Sequence, residues 1–440
     1  MNARITPRRF SGLIKIPASK SHTIRQLLIA SLADGISEIK NPLDSLDTRS
    51  CLSVCRAFGA EIENRDQGTG IRIEGNNGFK KPLREPPRIN VGNSGTTLFF
   101  ALAIAGLQSE WLEFTGDEQI QKRSAAPLLD ALAGLGIQCK NDNGFIPISI
   151  KGPWKGGKVI LPCPTSQYLS ALLIASPLAP AGTTTEIEVP LLNEKPYVEM
   201  TLSYIKNNLV TNIKDVCHQH IPFEYSPDYS NFVIPGGSSY KAFSASVPGD
   251  FSSAAFPAAA AAISGGQVTL LGLDPQDTQG DKYFFEILKS MGCEIQYSEK
   301  DGSFTVSRSG SLRSGTFDLN ETPDLFPAAA AVAAFAEGDT ALVNVTHARI
   351  KETDRIAVMA KELTKLGVSC TEHSDGLVIH GKGSGSVGNK SCIIDGHGDH
   401  RIVMAFAAAA HGCQNSIEIT NAESAAVTYP GFWELFGAEV

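Results

Sequence analysis

Residues 249–273 read GDFSSAAFPAAAAAISGGQVTLLGL, and the order of features in this stretch decides the fold. A small polar cluster comes first, an apolar alanine-rich run follows it, and a glycine pair leads into a short strand-like segment. Asp, Ser and Thr are common helix N-caps and glycine often ends a helix, so the pattern predicts a capped helix and then a strand. Because the run is apolar on nearly every side, we expect the helix to be buried.

The same order of features occurs six times. The other copies are residues 19–42, 92–116, 164–190, 322–345 and 398–421. Their glycines are spaced by 71 to 83 residues, which is too long for a solenoid repeat and suits a small α/β unit. The glycines are Gly35, Gly106, Gly182, Gly265, Gly338 and Gly412.

A second, more amphipathic helix follows each of several copies, as in residues 46–63 and 352–370, and leads into further strand-like residues. Each unit therefore reads βαβαββ. We predict an α/β protein of six such units, three in each of two domains. The third and fourth units are separated near the Pro-, Gly- and Ser-rich residues 232–250.

Composition narrows the class of protein. A length of 440 residues fits two domains of roughly 200 residues each. The 38 basic and 46 acidic residues give a net charge of -8, which argues against a general nucleic-acid or anionic-membrane binder. The nine cysteines are odd in number and form no CxxC pair, so we predict neither a disulfide framework nor a metal site. With no apolar run of the ~20 residues that span a bilayer and no signal sequence, we expect a cytoplasmic protein.

Basic residues recur at the starts of predicted helices. A helix N-terminus carries positive partial charge and disfavours cations by ~0.3 to 1 kcal/mol, so the set predicts an anionic ligand. For any single residue, a charge pointing into solvent remains an alternative. The basic residues are Lys20, Arg25, Arg123, Lys351, Arg355 and Arg401.

Two carboxylates lie among these cations. Asp324 and Glu352 would weaken anion binding unless they move a proton or accept a bond from a hydroxyl group. For Asp324, an N-cap of its own helix is the alternative, and we expect Asp250 and Asp399 to be caps or partners of nearby cations. The residues alone thus predict a polyanionic small ligand and acid/base chemistry without a metal, and they do not name the ligand.

Eight segments resemble the signatures of one family, the 5-enolpyruvylshikimate-3-phosphate synthases. In chain order they are IPASKSHTIRQLLIASLADG, GNSGTT, TGDEQIQKR, TSQYLSALL, KPYVEMTL, PGDFSSA, RIKETDR and DHRIVMAFA. The resemblance implies a two-domain inside-out α/β barrel of six βαβαββ repeats. It implies one domain made of residues 1–19 and 248–440, an inserted domain of residues 20–247, and an active site in the cleft between them.

The resemblance also implies the reaction and its residues. Members of the family transfer the enolpyruvyl group of phosphoenolpyruvate to the 5-hydroxyl of shikimate 3-phosphate and need no cofactor. By resemblance, the catalytic residues are Lys20, Asp324 and Glu352. The residues expected to bind phosphoenolpyruvate are Lys20, Gly95, Arg123, Gln167, Arg355 and Arg401. Those expected to bind shikimate 3-phosphate are Ser21, Arg25, Thr165, Ser166, Gln167, Asp324 and Lys351.

Five positions depart from the family pattern. Phe99 stands in place of a usual arginine, Ser124 in place of a proline, and His347 in place of an asparagine. Glu194 replaces a serine that contacts the 3-phosphate, and Val427 replaces a lysine that approaches the phosphoenolpyruvate phosphate. The last two changes bear on the identity and affinity of the substrates.

Three other functions remain to be separated. A UDP-N-acetylglucosamine enolpyruvyl transferase would have Lys-Asn at Lys20-Ser21 and a cysteine in the loop 115–123, which has none. A related transferase that acts on another cyclic alcohol would fit Glu194 and Val427. A non-catalytic protein that only binds phosphorylated metabolites would not need both Asp324 and Glu352. We expect a monomer whose partners are small molecules only.

Overall fold

The chain folds into two compact units. The computed structural model describes residues 1–65, 70–79, 88–210, 223–300 and 302–440. The terminal unit comprises Met1–Ser19 and Pro248–Val440, and the central unit comprises Lys20–Val247. In the terminal unit, an antiparallel bridge pairs Ala18 with Gly249, and the Ser19 amide donates to the Pro248 carbonyl at 2.8 Å.

Each unit combines fully buried helices with helices that are buried on one side only. In the central unit they are Lys20–Leu32, Leu46–Ala57, Gly95–Ala105, Ala126–Gly134, Ser166–Ala175 and Lys195–Asn208. In the terminal unit they are Phe251–Ser264, Tyr283–Ser290, Phe326–Ala333, Arg355–Lys365, His400–Ala410 and Phe432–Phe436.

Among the described residues, the strands form three main sheets in each unit, and these sheets follow one strand order. We number the four strands of a repeat in the order of the βαβαββ pattern. The second strand lies between the first, to which it is parallel, and the fourth, to which it is antiparallel. The third strand pairs antiparallel with the outer side of the fourth. In the central unit the first sheet has the spatial order Ser244–Ser246, Ile36–Lys40, Gly70–Glu74 and Glu61–Arg65. The second has the order Arg88–Asn90, Leu112–Thr115, Phe145–Lys151 and Gln138–Asp142. The third has the order Gly157–Ile160, Thr184–Glu188, Asn231–Pro235 and Glu224–Tyr225. Leu209–Val210 and Ser239–Tyr240 form a further small pair.

The terminal unit repeats this order with one shortened sheet. Its first sheet has the spatial order Gly12–Lys15, Gln267–Leu271, Ser303–Ser307 and Glu294–Ser298. The second begins with two short strands, Leu312–Arg313 and Thr316–Asp318, followed by Ala336–Val343, Gly376–Lys382 and Ser369–His373. The third has the order Cys392–Ile394, Ile417–Thr420 and Asn2–Ile5. In the last sheet a single bridge from Glu439 to Arg4 stands where the other sheets have a full strand. The N-terminal strand Asn2–Ile5 thus completes the repeat that ends the chain.

The alanine-rich helices lie inside the sheets. In Phe251–Ser264 every residue before Ser264 is buried, and this helix packs against Phe326–Ala333 and His400–Ala410. Small alanine side chains allow the helices to approach closely, while alternate residues of strands such as Asn2–Ile5 face solvent. The predicted inside-out α/β fold with six repeats is confirmed.

The predicted caps are only partly correct. Ser94, Thr165, Asp250 and Asp399 each accept a backbone N–H at the start of their helices, as expected. The fifth copy is different, because Leu325 occupies the N-cap position and makes no side-chain cap. Gly265 ends its helix with a φ of 69°, in the left-handed region that glycine tolerates. Gly338 does not end a helix, since it lies within the strand Ala336–Val343.

Candidate active site

Arg355 lies at the centre of a buried ionic cluster in the terminal unit. Asp354 caps the helix Arg355–Lys365, so Arg355 is its first residue, and its side chain is only 1% exposed. Its guanidinium donates to Asp324 Oδ1 at 2.8 Å, to Asp399 Oδ2 at 2.9 Å, and to Glu352 Oε2. One arginine therefore holds three carboxylates, two of which the sequence assigns to catalysis.

Arg401 extends this cluster from a neighbouring helix. Asp399 caps His400–Ala410 by accepting the Arg401 N–H at 2.9 Å, so the cap of this helix also pairs with Arg355. The Arg401 guanidinium donates to Asp324 Oδ2 at 2.9 Å and to the Ser252 hydroxyl. Asp324 is therefore held by two arginines and does not cap its own helix. We refer to Asp324, Glu352, Arg355, Asp399 and Arg401 as the Arg355 cluster.

The cations control the ionisation of the carboxylates in this cluster. Burial alone would raise the pKa of Asp324, but the charges of Arg401, Lys351 and Arg355 outweigh it and hold the pKa well below its usual value. Burial likewise opposes the ionised form of Asp399, and the charge of Arg355 nevertheless lowers its pKa. The anions that compensate these helix-terminal arginines thus include the protein's own carboxylates.

Asp281 is a buried acid that interacts with Arg401 and Ser252, and the sequence did not single it out. Burial and, second to it, the Asp324 charge raise the pKa of Asp281, Arg401 and a hydrogen bond with Ser252 oppose the rise, and the net pKa is about 6. Ser252 also accepts from Arg401, so the three side chains form a connected polar group. No local sequence signal distinguishes this aspartate from a surface residue.

In the central unit, Arg123 packs against the start of a helix. Gly95 is the first residue of Gly95–Ala105, and a Cβ at this position would lie 2.5 Å from Arg123 Nη1 and 3.7 Å from Gln167 Oε1. The absence of a side chain at Gly95 therefore lets the guanidinium lie against the helix N-terminus. Three residues predicted to bind phosphoenolpyruvate are thus close together.

Lys20 is paired with an acid that the sequence did not single out. It begins the helix Lys20–Leu32, and its ammonium lies 3.1 Å from Asp47 Oδ2. Asp47 belongs to the first turn of Leu46–Ala57, where Ser45 and Thr48 form a capping box. This reciprocal cap fixes the turn that carries Asp47 and thereby positions Lys20.

Arg25 is buried and donates to neutral oxygens. Its donors reach the Thr201 hydroxyl at 2.9 Å and the carbonyls of Ser21 and Tyr197 at 3.1 Å. Its guanidinium carbon lies 5.1 Å from the centre of the Phe100 ring. Burial lowers the pKa of Arg25 to about 10, so it remains a cation at neutral pH.

Thr165 and Ser166 begin the helix Ser166–Ala175 and contact a carboxylate of the protein. Glu194 Oε2 accepts from the Thr165 hydroxyl at 3.0 Å, the Ser166 amide at 3.0 Å and the Ser166 hydroxyl at 2.9 Å. All three residues are buried. The donors predicted to hold a substrate phosphate therefore have an anion bound already.

Comparisons with known proteins decide the family. The family model described as EPSP synthase (3-phosphoshikimate 1-carboxyvinyltransferase) matches residues 5–436. The chain belongs to the EPSP synthase family. A 3-phosphoshikimate 1-carboxyvinyltransferase of Acetivibrio thermocellus is 43% identical over 434 residues, which cover 98% of this chain and 96% of the relative. One of Methanocella arvoryzae is 40% identical over 440 residues, covering 99% and 98% of the two chains.

Solved structures of EPSP synthase from Acinetobacter baumannii have the same fold. One superposes with a TM-score of 0.78 at 27% identity and covers 99% of this chain and 97% of its own. A second gives a TM-score of 0.79 at 27% identity and covers both chains completely. The family resemblance of the eight sequence segments is confirmed.

Three departures from the EPSP synthase pattern are accommodated by local packing. Phe99 is buried, and its ring meets that of Tyr168 edge-on at 4.9 Å. The Ser124 hydroxyl accepts the Ala126 N–H, and its carbonyl accepts from the Tyr168 hydroxyl at 2.7 Å. His347 Nε2 lies 3.0 Å from the carbonyl oxygen of Asn320. A fourth departure, Val427, is the last residue of the 3-10 helix Ala422–Val427 and is half-buried.

The described part of the chain contains no cluster of three or more His, Cys, Asp or Glu residues that could hold a metal ion. Within the same part, no helix has the length and apolar character needed to cross a membrane. The Arg355 cluster offers paired cations and two carboxylates that are partly accessible, Asp324 at 24% and Glu352 at 13% side-chain exposure. Such a cluster can bind an anion and move protons.

Proposed function

We propose that this protein transfers the enolpyruvyl group of phosphoenolpyruvate to the 5-hydroxyl of shikimate 3-phosphate and releases inorganic phosphate. The observation that carries this proposal is the convergence of Asp324 and Glu352 on one buried arginine, Arg355. Two proton carriers beside cations that can bind an anion are what an addition and elimination at a phosphorylated enol require. The names of the two enolpyruvyl-transferring relatives described above support the same reaction.

The first step adds the alcohol to the enol. A proton goes to the methylene carbon of phosphoenolpyruvate, the 5-hydroxyl oxygen bonds to C2, and the hydroxyl loses its proton, which gives a tetrahedral ketal phosphate. The second step removes a proton from the new methyl group, breaks the bond between C2 and the phosphate oxygen, and restores the double bond. We assign the hydroxyl proton to Asp324, and the protons on the methylene carbon to Glu352 with Lys20.

Substrate binding and base strength are coupled at Asp324. Its depressed pKa makes it a weak base while Arg355 and Arg401 both face it. An anion bound to these arginines offsets their charge and raises the pKa of Asp324 toward the range of an effective base. We therefore infer that phosphoenolpyruvate binding prepares Asp324 for its role.

We infer further that the sets of residues in the two units serve one pair of substrates. The central unit supplies Lys20, Arg123 and the donors at Thr165 and Ser166, while the terminal unit supplies the Arg355 cluster. Neither set alone combines the predicted phosphate donors with the two catalytic carboxylates. A substrate panel tests the assignment: shikimate 3-phosphate should support turnover with phosphoenolpyruvate, and UDP-N-acetylglucosamine and unphosphorylated shikimate should support little. Faster turnover with either of the latter would contradict it.

Gly95→Ala should weaken phosphoenolpyruvate binding. The new methyl group would lie 2.5 Å from Arg123 Nη1, so the guanidinium must move. Loss of one charge-assisted hydrogen bond costs ~1.5 to 3 kcal/mol, and we expect KM for phosphoenolpyruvate to rise about tenfold or more. KM for shikimate 3-phosphate should change much less. Steady-state kinetics with each substrate varied in turn measure both constants, and equal increases in the two would count against this placement of Arg123.

Val427→Lys should strengthen phosphoenolpyruvate binding. Where this chain has Val427, the family pattern has a lysine near the substrate phosphate. A restored charge-assisted hydrogen bond is worth ~1.5 to 3 kcal/mol. We expect KM for phosphoenolpyruvate to fall several-fold with little change for shikimate 3-phosphate. Val427→Met is the matched control, since it adds length without charge. If lysine and methionine have the same effect, Val427 does not face the phosphate.

We also infer a monomer that works in the cytoplasm. The eight cysteines in the described ranges are free thiols, which suits a reducing compartment. Light scattering coupled to size-exclusion chromatography should give a mass near 46.8 kDa. A mass of twice that value would contradict the monomer.

A further inference from the structure

Glu194 occupies hydrogen-bond donors that the proposed function reserves for a substrate. A single carboxylate oxygen, Oε2, accepts from two hydroxyls and one helix N-terminal amide of Thr165 and Ser166, at 2.9 to 3.0 Å. Backbone amides at a helix start, with adjacent hydroxyls, are typical ligands of phosphate. Glu194 thus sits as an internal anion where these donors would receive an external one.

The fold holds this carboxylate in place from both sides. Glu194 directly precedes the helix Lys195–Asn208 and has a left-handed φ of 59°. A parallel bridge between Cys163 and Leu192 fixes the segment before it against the segment before Thr165. The side-chain amide of Asn193 donates to the Pro164 carbonyl at 3.3 Å, which adds a second link between the same two segments. The starts of two helices are therefore joined through Glu194.

A phosphate and this carboxylate cannot use the same donors at once. Each donor hydrogen serves one acceptor at full strength, and two anions at hydrogen-bond distance from the same atoms repel one another. Thr165 is 9% exposed and Ser166 is 1% exposed, so water screens this repulsion poorly. The charge of Arg25 attracts that of Glu194. The hydrogen bonds of Arg25, however, go to Ser21, Tyr197 and Thr201.

We propose that Glu194 is a specificity-determining residue that competes with the 3-phosphate of the acceptor substrate for Thr165 and Ser166. This inference rests on the proposed function, because that function makes the acceptor a phosphate ester. Shikimate 3-phosphate must displace the carboxylate when it binds, so Glu194 lowers the affinity for the phosphorylated acceptor. An unphosphorylated acceptor would leave the carboxylate where it is and would not meet this competition.

Calorimetric titration of Glu194→Asn tests the proposal. Asparagine is uncharged, is too short to span the same donors, and tolerates left-handed backbone, so the local fold should persist. We expect the Kd for shikimate 3-phosphate to fall about tenfold or more, since the released donors can bind the phosphate. The Kd for unphosphorylated shikimate should change less than about threefold. Glu194→Gln, which keeps the length and loses the charge, should give a smaller gain.

Glu199→Gln is the matched control. Glu199 lies in the same helix, is exposed, and accepts from the Tyr229 hydroxyl at 3.2 Å, so the change removes a charge without touching Thr165 or Ser166. Its Kd for shikimate 3-phosphate should match that of the unmodified protein. An unchanged or weakened Kd in both Glu194 variants would overturn the proposal, and weakening would mean that the carboxylate supports the substrate.

Binding and turnover together separate this proposal from the function on which it rests. If the unmodified protein releases phosphate but the Glu194 variants bind no more tightly, only the competition is wrong. If the variants bind shikimate 3-phosphate more tightly and no phosphate is released in any of them, only the proposed reaction is wrong. If shikimate 3-phosphate binds to none of the proteins, both are wrong.

Discussion

Replacing Glu352 with glutamine should reduce turnover by about 10² or more, with little change in shikimate 3-phosphate binding. Glutamine keeps the size of the side chain and an acceptor for Arg355 Nη2, so the loss would report the missing proton carrier. Steady-state turnover and a direct titration of shikimate 3-phosphate measure the two quantities separately.

The matched control for this change is Glu372→Gln. Glu372 also pairs with an arginine, since Arg349 Nη1 lies 2.9 Å from its Oε1, but it belongs to the exposed strand Ser369–His373. We expect normal turnover in this variant. If Glu352→Gln retains most of its turnover as well, Glu352 is not the proton carrier.

Replacing Arg355 with methionine should destabilise the protein strongly. Methionine fills a similar volume but leaves Asp324, Glu352 and Asp399 without the cation that they share. Removing one partner of a buried ionic group costs ~3 to 5 kcal/mol, and here the Asp399 charge stays fully buried without its arginine. We expect the free energy of unfolding to fall by about this amount at neutral pH, as measured by urea denaturation followed by circular dichroism.

An exposed ion pair provides the comparison for Arg355. Arg49 Nε lies 2.6 Å from Asp44 Oδ1, and both side chains are about two-thirds exposed. Arg49→Met should cost less than ~1 kcal/mol, because solvent already screens the pair. A loss of similar size in the two variants would show that the Arg355 cluster is not effectively buried.

The repeat architecture could be predicted because each copy carries its own local signals. The apolar run and the Asp250 cap of residues 249–273 are sufficient to place one buried helix, and the same reasoning applies to the copies at Ser94, Thr165 and Asp399. The failures have local causes too. Two prolines, Pro323 and Pro327, shape the fifth copy, where a short 3-10 turn comes before the helix and no polar side chain caps it.

Pairing between distant segments could not be read from local patterns. The strand Asn2–Ile5 completes a sheet with Ile417–Thr420, and Ser244–Ser246 pairs with Ile36–Lys40, although about 200 or more residues separate the members of each pair. Nothing in a four-residue strand specifies such a partner. Such strands come together because each sheet covers a buried helix, and that arrangement exists only in the complete fold.

The chemistry of the candidate site was predictable to the level of residue types. Cations at helix starts indicated an anionic ligand, and Arg355 and Arg401 do lie together with Asp324. Asp399 is both the helix cap and the cation partner that the sequence led us to expect. The sequence could not show that Glu194 already supplies an anion to Thr165 and Ser166, because hydrogen bonds between separate elements depend on the fold. The assigned roles in binding and catalysis remain predictions.

Measurement of phosphate release with both substrates, and with each omitted, tests the central claim most directly. With phosphoenolpyruvate and shikimate 3-phosphate together, we predict release of one phosphate for each enolpyruvyl ether formed, as detected by phosphorus NMR of the same sample. With either substrate omitted, we predict no release above the background rate. Absence of phosphate release with both substrates present, or equal release from phosphoenolpyruvate alone, would contradict the account.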